Sequence, residues 1–81
     1  MRMTHIYYVY EYKGDNDRDI KPYRKRKLLA VNADDIKDGI INQSVFGYMM
    51  GEAIGDISDE YGIENVDPYD VIILFWSEIR G

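Results

Sequence analysis

Two groups of charged residues are the parts of this sequence whose types and spacing could do chemistry. Five of the ten basic residues lie in the run KPYRKRK, as Lys21, Arg24, Lys25, Arg26 and Lys27, with Tyr23 among them. Cations interleaved with an aromatic ring can hold a phosphate backbone and stack a base, so the run is a candidate nucleic-acid interface. The plainer reading is an edge strand protected by charge against aggregation. On a strand these side chains alternate between faces, so no single face carries all five cations.

The second group is acidic: Asp34, Asp35 and Asp38, then Glu52, Asp56, Asp59 and Glu60. Residues 1–27 hold eight bases against four acids, whereas residues 28–81 hold only Lys37 and Arg80 against eleven acids. Such an excess suits a solvated face, or a patch that docks on a basic protein. The whole chain has a formal charge of −5, which opposes polyanion binding at range and favours a protein partner over nucleic acid.

The catalytic inventory is thin. His5 is the only histidine, and it stands among tyrosines in a strand-like stretch. Ser44, Ser58 and Ser77 have no base at motif spacing to activate them. No P-loop, dinucleotide fingerprint or paired-histidine metal motif is present. The run Asp15-Asn16-Asp17-Arg18-Asp19 resembles the opening of an EF-hand calcium loop, but Ile20 stands where the glycine belongs and Arg26 where the closing glutamate belongs. There is no cysteine, which excludes disulfides, thiolate metal sites and thiol catalysis. These features point to a non-enzyme without metal or cofactor.

The elements that must position these residues can be read from periodicity. Thr4–Tyr12 is rich in tyrosine and β-branched residues; Ile6, Tyr8, Tyr10 and Tyr12 point one way, and His5, Tyr7, Val9 and Glu11 the other. Both sets are largely apolar or aromatic, which predicts a central strand. Lys13–Pro22 is turn chemistry, and Tyr23–Val31 returns as the second strand of a hairpin over residues 4–31. Asn32 with Asp35 three residues on predicts a capped helix start, with Ile36, Ile40 and Ile41 as its apolar positions. Residues 32–62 are expected to be helical, as one bent helix or as two.

The principal helix, Ser44–Tyr61, with Ser44 as its expected cap, carries apolar residues at Phe46, Met49, Met50, Ala53, Ile54, Ile57 and Tyr61. Gly47, Gly51 and Gly55 fall four apart along one side, and interior glycines each cost about 1 kcal/mol relative to alanine. They predict a close approach: aromatic residues of the sheet such as Tyr8, Tyr10 or Trp76, or a second helix across a homodimer. Gly62 and Ile63 close the helix. Residues 70–79 form the last strand, whose run Val71–Trp76 implies burial on both faces, or on one face plus an oligomer contact.

A right-handed crossover then gives β-β-α-(α)-β with strand order 2-1-3. The expectation is one α+β domain over residues 1–81, with a three-stranded antiparallel-type sheet and helices on one face. The longest apolar run is too short to span a bilayer, and the first residues read as a strand and not as a signal peptide, which predicts a soluble, cytoplasmic chain.

In composition alone, the chain resembles the small acidic inhibitors that phages and mobile elements direct at host defence or nucleic-acid enzymes. That resemblance implies an acidic helical face that docks on and modulates a basic partner. The alternatives are a nucleic-acid-binding module using the strand at 21–27, and a structural homo-oligomer subunit joined through its sheet.

Overall fold

The computed structural model describes residues 2–79. Three long strands form an antiparallel sheet in the order β2-β1-β5, made of β1 (Met3–Tyr12), β2 (Tyr23–Asn32) and β5 (Val71–Ile79). One helix, α1 (Gln43–Tyr61), packs on one face of it. Between β2 and α1 lies a two-stranded ribbon of β3 (Ile36–Lys37) and β4 (Ile40–Ile41). The expected α+β class and 2-1-3 order are those of the structure.

The alternation of β1 places Ile6, Tyr8 and Tyr10 in the core with no exposure, and Tyr12 beside them. Strand β2 contributes Leu29 and Val31 to this face and β5 contributes Val71, with Ile73 and Trp76 packed against them. From α1 come Val45, Met49, Ala53 and Ile57, four residues apart and so stacked along one side of the helix. The Tyr8 hydroxyl ties the layers by donating to the Met49 carbonyl at 2.8 Å. The Tyr10 hydroxyl is equally buried and has no hydrogen-bond partner among the described residues.

The turn between β1 and β2 is a single 3-10 turn, Asn16–Arg18, capped by the Asp15 carboxylate. Gly14 enters it at φ +86, where an added Cβ would lie 2.5 Å from the Ile20 carbonyl oxygen. Only glycine fits there.

Four expectations are corrected. Residues 33–42 are not helical: Ala33–Asp35 make a 3-10 turn capped by Asn32, and Asp38-Gly39 reverse the chain between β3 and β4. Both turn residues have positive φ (54 and 75), as a two-residue type I′ hairpin requires. The single helix therefore starts at Gln43, and its cap is Asn42, whose side chain accepts from the Val45 N–H at 2.9 Å, instead of Ser44.

The helix is also rotated from its expected setting. Val45 is buried, while Phe46 and Tyr61 are exposed. The glycine stripe lies two residues on from the buried row, about 200° around the helix, and apart from the adjoining helix turns no atom of the described residues comes within 4 Å of a Cβ built at Gly47, Gly51 or Gly55. Tyr8, Tyr10 and Trp76 pack in the core and do not fill that groove.

Of the two burial patterns read from its apolar run, β5 shows the one with a single buried face. Val9 pairs with Phe75 and Tyr10 with Ile73, so Leu74 is an extra residue in a bulge. Ile73 and Trp76 face the core, while Ile72, Leu74, Phe75 and Ile79 are left outside it. Among the described residues no helix is long and apolar enough to cross a membrane.

Candidate interaction surfaces

The two charged groups meet each other. Residues Tyr23, Lys25 and Lys27 of β2 alternate onto the helix side of the sheet, opposite the polar flank of α1. Lys27 Nζ donates to Asp56 at 2.7 Å and lies 3.6 Å from Glu52. Lys25 Nζ donates to Glu60 at 2.9 Å, and the Tyr23 hydroxyl donates to the same carboxylate at 3.4 Å. Tyr23 is held between Tyr12 and Tyr61, with ring centroids 5.8 and 5.9 Å away.

This seam sets the proton affinities of its members. The hydrogen bond to Asp56 holds the Lys27 ammonium above its usual range, and the bond to Glu60 does the same for Lys25. Burial is the main cause that raises the phenols of Tyr8, Tyr10, Tyr12 and Tyr23; the carboxylates of the seam add to it at Tyr8 and Tyr23. The seam thus behaves as a neutralised contact between the two layers.

The remaining candidates separate from it. Asp34 and Asp59 are exposed, and Asp38 occupies the hairpin tip. Asp35 accepts from the Asn42 side chain at 2.9 Å. Lys21 precedes β2 and is exposed. In the calcium-like run, Arg18 pairs with Asp15 at 3.2 Å. Among the described residues no group of three or more histidine, cysteine, aspartate or glutamate side chains is gathered as metal ligands would be. Ser58 donates to the Ile63 carbonyl, closing the helix end.

Arg24 and Arg26 alternate onto the opposite, outer face of the sheet, which no other element covers among the described residues. Register places Leu28, Tyr7 and Ser77 in one row across the three strands, and Arg26, Val9 and Phe75 in the next. Arg24 Nε donates to Glu11 at 3.1 Å at one end. The Tyr7 and Phe75 rings meet edge-on at 6.2 Å. About half of each of Leu28 (56%), Ile72 (54%), Phe75 (53%) and Ile79 (46%) is exposed on this face. The bulge adds Leu74 to them, since it leaves two consecutive residues of β5 outside the core.

From the sequence this face enters only as the sheet contact of a homo-oligomer, with none of its apolar residues among the candidate sites. Its signal was the second apolar set on β1 together with the unbroken apolar run of β5, and a two-layer fold can cover only one side of such strands. No protein family, curated protein or solved structure matches the chain.

Proposed function

We propose that this chain is a non-enzymatic protein-interaction module that docks through the outer face of its sheet on a partner whose contact surface is also apolar. One observation carries the reading: the half-exposed Leu28, Ile72, Leu74, Phe75 and Ile79 on a sheet whose other face carries the buried core. Scattered exposed apolar residues are ordinary, but a contiguous set on one flat face marks an interaction surface.

The acidic-inhibitor reading rests on charge, and the geometry supports it less. Glu52, Asp56 and Glu60 already engage Lys25 and Lys27, which leaves Asp34, Asp38 and Asp59 to meet a basic partner. The nucleic-acid reading has one favourable feature, Arg26 beside the Tyr7–Phe75 pair on the open face. Lys25 and Lys27, two of its cations, are turned to the helix.

Affinity capture with two variants separates these readings. Phe75→Glu with Leu28→Lys should lose the captured protein, whereas Asp34→Lys with Asp59→Lys should keep it. Reversing Glu52, Asp56 and Glu60 is unsuitable as a control, because it would leave the seam lysines unpaired and confound binding with unfolding. Equal capture by the sheet-face variant and the native chain would sink the proposal. A gel shift with single-stranded nucleic acid, abolished by Arg26→Glu, would favour the third reading.

A further inference from the structure

We infer that the partner of the outer face is a second copy of this chain, packed sheet against sheet in a two-fold dimer with a helix on each outside. The inference rests on the docking proposal and names its occupant. Three observations lead to it.

The first is area. The half-exposed Leu28, Ile72, Leu74, Phe75 and Ile79 together offer on the order of 500 Å² of apolar surface per copy. A standard interface takes about 800 Å² from each partner, and weaker specific ones total less than about 1,200 Å². The face alone therefore suffices for a dimer at the lower end of that scale, populated in proportion to concentration.

The second is charge. A two-fold contact sets each surface against itself, so a face of one sign would repel its copy. Here Arg24 is neutralised by Glu11, and β5 contributes no charge between Val71 and Ser77. Arg26 stands on edge strand β2, where its long side chain can reach water at the rim.

The third is shape. The chain measures 43 × 20 × 19 Å with a radius of gyration of 13.7 Å, against about 12 Å for a compact domain of this length. An elongated two-layer slab exposes more surface than a compact domain of the same length, and pairing sheets about 10 Å apart covers part of it with a further layer.

Two competing contacts are less favoured. Strand addition at the free edge of β5 would meet the bulge at Leu74, and bulges blunt edges. Crossing of two helices at Gly47, Gly51 and Gly55 would bury Tyr48 beside the glycines, but less apolar surface than the five residues of the sheet face offer.

Sedimentation equilibrium of the purified chain across a wide concentration range tests this. The expected result is a mass rising from 9.5 kDa to twice that value. Phe75→Lys should raise the dissociation constant at least about tenfold by setting two charges into the contact. Dichroism verifies that the variant is folded; if it is not, Leu28→Lys on the opposite strand of the same face takes its place. A mass of 9.5 kDa throughout overturns the dimer. So does a dimer that persists in both lysine variants, or one abolished by Gly51→Leu and not by them. A monomer that still captures a protein through the outer face leaves the docking proposal standing, so the two failures are distinguishable.

Discussion

Lys27 on β2 donates to Asp56 on α1 at 2.7 Å, with less than a fifth of the lysine side chain exposed (19%). Lys25 and Glu60, one turn along the same seam, make a similar pair with both partners more open to water. Exposed ion pairs contribute little because water screens them and side-chain entropy opposes them. The two pairs are therefore expected to differ: a double-mutant cycle by urea denaturation should give about 1 kcal/mol for Lys27 with Asp56 and a smaller coupling for Lys25 with Glu60. Equal values would mean that burial does not grade the seam.

Two neighbouring tyrosines should respond oppositely to loss of the hydroxyl. Tyr8→Phe removes the donor to Met49 and should cost about 1 kcal/mol. Tyr10→Phe removes a buried hydroxyl with no partner among the described residues, so it should be neutral or stabilising within about 1 kcal/mol. Thermal unfolding of both variants checks this, and a Tyr10 variant less stable than the Tyr8 variant would contradict it.

The perturbed groups all point to alkaline sensitivity. Lys25, Lys27 and the phenols of Tyr8, Tyr10, Tyr12 and Tyr23 are each raised in the folded chain. Above the unfolded values near pH 10, the folded state thus holds more protons than the unfolded state, so stability falls as pH rises. Below about pH 10 their contribution is fully present. Tyrosinate absorbance should rise together with loss of dichroism; complete phenol titration of an intact fold would refute this.

Gly39 in the β3–β4 turn and Gly51 in α1 separate backbone need from its absence. Gly39 has φ +75 with open space around it, so Gly39→Ala should cost about 1 kcal/mol through backbone strain alone. Gly51 is helical with equally open space, so Gly51→Ala should stabilise the chain by about 0.5–1 kcal/mol. Chemical denaturation of the pair tests both signs.

The long elements were legible because periodicity and burial agree in them. Tyr8 and Tyr10 alternate into the core as β1 predicts, and Gly62 ends α1 with Ile63 tucked under it. The hairpin at 36–41 was not, because Ile36, Ile40 and Ile41 also fit helical spacing. The competing signal was Asp38-Gly39, the dipeptide that favours two consecutive positive φ values. Helix rotation was misjudged because Phe46 and Val45 are adjacent and both apolar, and only packing of the whole helix on the sheet selects between them. The seam was hidden for a different reason: Lys27 and Asp56 are 29 residues apart, and charge counts along a chain do not reveal which charges will face each other.

The central position of β1 governs how the chain reaches its native state. One neighbour, β2, follows through a short turn, but the other arrives only with residues 71–79, and Thr4 donates to Glu78 across a separation of 74 residues. Closing so long a loop is entropically costly before any pairing compensates it. Refolding should therefore have a fast hairpin phase and a slower phase in milliseconds to seconds, the range of folds with distant strand pairing. During that interval the tyrosine-rich edge of β1 is open to other molecules. Recovery of native protein should then fall as the concentration during refolding rises.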